Sequence, residues 1–167
     1  MLLIHLPMQN TLLCNVQNLN LPNYDFKLTK SGDHILIWDQ IRKKNIVLTP
    51  EEWVRQNFMC FLSSEFGFPK SLMQVEGGLK YNKMNMRSDI LCYNQAGNPI
   101  LLVECKRPTV SITQKTFDQI AKYNMSLKVP FLAVTNGLEH FYCQIDFDKK
   151  DFHFLPNLPQ FELVKEI

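Results

Sequence analysis

What the chain lacks narrows its class first. Its five cysteines (Cys14, Cys60, Cys92, Cys105, Cys143) form no Cys-x-x-Cys pair and are odd in number, which argues against a disulfide framework or a cysteine zinc site and for buried thiols in a reducing cytoplasm. The four histidines (His5, His34, His140, His153) show no metal-ligand spacing. No apolar run approaches the roughly 20 residues that cross a bilayer, and residues 1–6 lack the basic flank and length of a signal segment, so no membrane association is expected. A formal net charge of +2 gives little bulk attraction for nucleic acid, so any such contact has to be local. With 167 residues the chain has room for one core and one active site.

What is present is concentrated around Ile100-Leu101-Leu102-Val103-Glu104-Cys105-Lys106. The apolar residues read as a buried strand, and Arg107-Pro108 stops it. Alternation along a strand puts Glu104 and Lys106 on one face and Cys105 on the other. Upstream, the strand Arg87-Ser88-Asp89-Ile90-Leu91-Cys92-Tyr93 leads through the turn-rich Asn94-Gln95-Ala96-Gly97-Asn98-Pro99 into the first. Antiparallel pairing of the two brings Asp89 beside Glu104. Two carboxylates held this close repel each other unless a cation lies between them, and oxygen donors suit a hard divalent ion such as Mg²⁺, with Mn²⁺ as a substitute.

Residues 1–23, rich in Asn, Gln and Leu, read as a flexible or peripheral arm, and residues 24–167 as a single domain with its core at about 50–145. Ile35-Leu36-Ile37-Trp38 and Asn45-Ile46-Val47-Leu48 suggest an N-terminal β-hairpin, with Arg42-Lys43-Lys44 at its tip as a solvated turn or a phosphate contact. Thr49-Pro50-Glu51-Glu52 starts a helix that runs to about Phe66. Its apolar stripe is Val54, Phe58, Phe61 and Leu62. Glu51 lies on that stripe and is expected to point inward, while Glu52 reaches back to the cap. Residues 72–76 read as a strand, with Glu76 either a further carboxylate or a solvent-facing residue, and residues 80–85 as a polar approach to Asp89. Arg87 shares a strand face with Asp89 and would balance the acids or touch a phosphate. After Pro108 a helix covers residues 113–127, with Gln119 and Tyr123 one turn apart. Residues 131–135 and 139–146 read as two more strands.

An acid on one strand and Glu-x-Lys on the next, flanked by helices, resembles the PD-(D/E)XK nuclease superfamily, although Ser88 stands where that motif has proline. More narrowly, Thr-Pro-Glu-Glu-Trp-Val-Arg-Gln (49–56), Met-Arg-Ser-Asp-Ile (86–90), Leu-Val-Glu-Cys-Lys-Arg-Pro (102–108), Gln-Ile-Ala-Lys-Tyr (119–123) and Val-Thr-Asn-Gly (134–137) are similar to the N-terminal nuclease domain of type I restriction enzyme R subunits. The resemblance implies a restriction-endonuclease-like αβββαβ core with a mixed sheet between helices. It implies a Mg²⁺-dependent nuclease in which Asp89, Glu104 and the Cys105 carbonyl hold the metal, and Lys106 and Glu51 complete the catalytic group. It also places Gln119 and Tyr123 near the nucleic-acid backbone. The partners it implies are DNA and a separate motor or specificity subunit; a homodimer is a further expectation. The alternative is a non-cleaving DNA-docking or assembly module with the same fold.

Overall fold

The computed structural model describes the backbone of residues 17–76, 78–81 and 84–167, and their side chains except for 78–81, 84–87, 122, 123 and 126. Three strands, β1 (Leu28–Ser31), β2 (His34–Asp39) and β3 (Lys44–Val47), form a small antiparallel sheet. The sequence suggests only a hairpin here. Leu28 is the one apolar residue of β1, so that strand carries no alternation to read, and its backbone pairing with β2 makes it a strand.

Helix α1 (Pro50–Phe66) follows. The Thr49 side chain accepts from the Glu52 N–H, Pro50 sits where its missing N–H is harmless, and Gly67 ends the helix at φ +73 with its N–H on the Leu62 carbonyl. Val54, Phe58 and Leu62 are fully buried at intervals of four residues, the stripe that a helix needs to cover a sheet.

That sheet has six strands. In space the order is β11 (Asp151–Leu155), β10 (His140–Asp146), β9 (Phe131–Thr135), β8 (Pro99–Cys105), β7 (Ile90–Tyr93), β4 (Met73–Val75). Only the central β8–β9 pair is parallel, and helix α2 (Gln114–Leu127) makes the crossover that such a pair requires. Alternation along β8 sends Leu101, Val103 and Cys105 into the core beneath α1, and Leu102 into a second core with Ile120 of α2. The short helix α3 (Phe161–Val164) adds Phe161 and Val164 to the α1 side. Where the sequence suggests a polar approach, β5 (Gly78–Tyr81) and β6 (Met84–Arg87) pair as a separate hairpin between β4 and β7. Among the described residues no helix is long and apolar enough to cross a membrane.

Residues 17–23, assigned above to the arm, lie against the domain. The Asn20 N–H donates to the Gly137 carbonyl at 2.7 Å, the Asn20 carbonyl lies 2.9 Å from His140 Nε2, and Leu19 packs on the α1 core. At Gly137 φ is +83, and an added Cβ would stand 2.6 Å from Leu19 and 3.0 Å from Val54. Gly137→Ala is therefore expected to cost about 1–3 kcal/mol, through left-handed strain together with overpacking. Urea denaturation checks this. A loss under about 0.5 kcal/mol, the usual scale of an uncoupled surface change, would mean that Leu19 does not seat there.

Candidate active site

The site lies where β7 and β8 meet the start of α1. Ile90 pairs with Val103, so one step along the antiparallel ladder sets Asp89 beside Glu104, as the sequence implies. The Asp89 carboxylate is held at both ends: Oδ1 accepts from Arg55 Nη2 at 2.6 Å and Oδ2 from the Cys105 N–H at 2.7 Å. Glu104 accepts from the Lys106 ammonium. Burial and then the neighbouring Asp89 charge push the Glu104 carboxyl above its ordinary range, against the pull of Lys106. Burial by itself would lower the Lys106 pKa, but the bond to Glu104 and the charges of Glu104, Asp89 and Glu51 raise it, so Lys106 stays an ammonium. The Cys105 thiol on the opposite face is fully buried.

The two glutamates that open α1 exchange the places expected of them. Glu52 is buried and Glu51 is half exposed. Helical periodicity places Glu51 inward, but it cannot register partners from other elements, and these decide the outcome. Glu52 accepts from the guanidiniums of Arg42 and Arg55 and, at 2.7 Å, from Gln56 Nε2. Its own share of the cap is the backbone N–H to Thr49 Oγ1 at 3.1 Å. Glu51 still belongs to the site, because it lies 3.5 Å from Arg55 Nη2 and its charge acts on both Glu104 and Lys106.

Arg42 also departs from expectation. Its place in a basic turn suggests solvent or phosphate, yet its side chain is only 10% exposed and bridges Asp39, Glu52 and Glu76, with 2.6 Å to Asp39 and 2.8 Å to Glu76. Asp39 has no exposed surface. It accepts from the N–H groups of Ile41 and Arg42 and, at 2.8 Å, from Gln56 Nε2; these bonds with Arg42 outweigh burial and hold its carboxyl below the usual range. Arg42, Arg55 and Gln56 thus link the N-terminal sheet to Asp89. None of them stands out in the sequence as a site residue. The available signal is that Arg55 lies three and four residues after the two glutamates, where i, i+3 and i, i+4 pairs form.

Glu76 joins the same group: it pairs with Arg42 and lies 3.9 Å from Arg55. Gln119 is exposed on α2. The side chains of Tyr123 and Arg87 lie outside the described residues.

Among the described side chains, six carboxylates (Asp39, Glu51, Glu52, Glu76, Asp89, Glu104) meet three cations (Arg42, Arg55, Lys106). Such an excess of hard oxygen donors suits a divalent cation. Among the described residues, however, no three acidic, histidine or cysteine groups stand close enough together to enclose one. Asp89 and Glu104 form a pair, to which Glu51 adds charge.

Against known families, the model of the type I restriction enzyme R protein N terminus matches residues 50–159, well over half of the chain. The chain belongs to that family. Its match begins at the first residue of α1 and takes in Glu51, Asp89, Glu104 and Lys106. A solved fragment of an HsdR subunit of a type I restriction enzyme from Vibrio vulnificus YJ016 is 24% identical, with a TM-score of 0.37, over 54% of this chain and 17% of that one. The chain thus spans about a sixth of that fragment's length. No curated protein matches.

Proposed function

We propose that this member of the R-protein N-terminal family is a divalent-cation-dependent nuclease of the PD-(D/E)XK type acting on DNA. The observation that carries the reading is the Asp89–Glu104 pair at adjacent strand ends with the Lys106 ammonium on Glu104. With hairpin β5–β6 set aside, the order helix, three strands, helix, strand in α1, β4, β7, β8, α2 and β9 supports reading the chain as a restriction-endonuclease-like core.

Asp89, Glu104 and the Cys105 carbonyl would hold Mg²⁺ or Mn²⁺. When bound, such an ion lowers the pKa of water and offsets charge on a phosphodiester. The chain's own groups do the remainder. Arg55 and the Cys105 N–H fix the plane of the Asp89 carboxylate, so its free lone pairs have one orientation. Lys106, held charged by Glu104, offers N–H donors to an attacking water and to the oxygen on which phosphate charge grows. Glu51, half exposed at the start of α1, accepts a proton or orients a water at the rim. The partners of the reaction would be DNA and a separate motor or specificity subunit.

One observation favours the non-cleaving docking module: both Asp89 oxygens already have protein donors. The two readings part on cation binding. Mg²⁺ or Mn²⁺ is expected to raise the melting temperature of the wild type and to leave Asp89→Ala unmoved, since a ligand stabilises only a state that binds it. Equal shifts in the two proteins would remove Asp89 from the cation site.

A further inference from the structure

A cavity of about 330 Å³ lies between the N-terminal sheet, the start of α1 and the segment after β8. It is at the lower end of the range of about 300–1,000 Å³ typical of small-molecule sites, with room for one nucleotide and none for a duplex. Leu48, Pro50, Trp53 and Pro108 give it apolar walls, and Arg107 and Thr109 supply polar groups.

Two features point to an occupant. The Trp53 indole is fixed before anything binds: its Nε1–H donates to the Gln17 carbonyl at 3.1 Å, and Phe26 packs against it at 5.2 Å with the ring planes 66° apart. A rigid indole on a cavity wall is a stacking platform for a flat heterocycle. Arg107, by contrast, is exposed and makes no ion pair among the described residues, and an exposed guanidinium suits an anion. A nucleotide carries both groups, a flat ring and an anion, and it is the unit of the substrate proposed above. The cavity also adjoins the proposed cleavage group through the chain. Pro50 precedes Glu51 and Arg107 follows Lys106, and neighbouring Cα atoms are about 3.8 Å apart.

We propose that this cavity is a nucleotide subsite that takes one unpaired base of the substrate strand against Trp53, with an adjacent phosphate on Arg107. The subsite rests on the nuclease reading for its substrate class. It makes the enzyme prefer DNA with a base free to leave the stack, such as a single strand or an opened duplex.

The test is binding of a single-stranded oligodeoxyadenylate in EDTA, where cleavage plays no part. The chain has two tryptophans, so a Trp38→Phe protein reports Trp53 alone. The oligonucleotide is expected to quench that emission. Arg107→Ala and Trp53→Ala should each weaken binding by about tenfold, while Trp53→Phe, which keeps a ring, retains most of it. Arg107 is exposed, so its variant keeps the test open even if Trp53→Ala folds poorly. Unchanged affinity in Arg107→Ala, or no binding by the wild type, would overturn the subsite. Trp53 emission insensitive to the oligonucleotide would leave the cavity to another occupant, such as the chain's own residues 1–16, and would overturn it equally. Failure of the nuclease reading looks different: no cleavage with any cation, while the quenching and its loss in the variants persist.

Discussion

Lys106→Ala is expected to fold and to cleave DNA about 10²–10³ times more slowly than the wild type, the usual result of removing one donor aimed at transition-state charge. The fold should survive because Glu104, already pushed up by burial and by Asp89, can take a proton when its ammonium partner is removed. Only then does the loss of rate belong to the chemistry. The measurement is single-turnover cleavage of a labelled oligonucleotide with Mg²⁺, beside a urea denaturation curve of the same preparation. Cleavage within tenfold of the wild type, in a protein shown to be folded, would take Lys106 out of the mechanism.

Arg55→Met should have its largest effect on stability. Arg55 is 5% exposed and bonds Glu52 and Asp89, so its loss leaves two mostly buried carboxylates without their shared cation. Breaking a buried pair from one side costs about 3–5 kcal/mol, several times the value of a surface pair. Asp89→Asn in the same protein should recover part of that loss, because Asp89 has no other cation among the described residues, whereas Glu52 keeps Arg42. Equilibrium denaturation of the single and double variants reads both numbers. A loss below about 1 kcal/mol for Arg55→Met, the scale of a surface pair, would show that the arginine network does not hold the site together.

The residues that face each other across β7 and β8 were legible because alternation and hairpin register follow from chain geometry alone. Knowing that 89 and 104 sit at the two ends of a paired turn is enough to bring the acids together. The limits of α1 were legible for a similar reason: Thr49, Pro50 and Gly67 each act locally. What could not be read was held by distant partners. Nothing in residues 49–56 reveals that Arg42, from a turn of another sheet, would draw Glu52 inward and leave Glu51 at the rim. Strand β1 and edge strand β11 were missed for different reasons: the first has a single apolar residue, and β11, although Phe152 and Phe154 alternate with polar neighbours, lies at the sheet edge with all five residues at least partly exposed. Their strand character comes from pairing. Charge in the basic turn misled for the same reason, since a buried guanidinium and a solvated one look alike in sequence.

The central claim is that a cation held at Asp89 and Glu104 lets this chain hydrolyse phosphodiesters. It is tested most directly by nicking of supercoiled plasmid by the wild type and by Asp89→Ala side by side, each with Mg²⁺, with Mn²⁺ and with EDTA. The expected result is nicking by the wild type with either cation, none with EDTA, and none by Asp89→Ala under any of the three conditions. An intact plasmid in every wild-type lane, from protein that still binds DNA, would contradict it and make the chain a docking module.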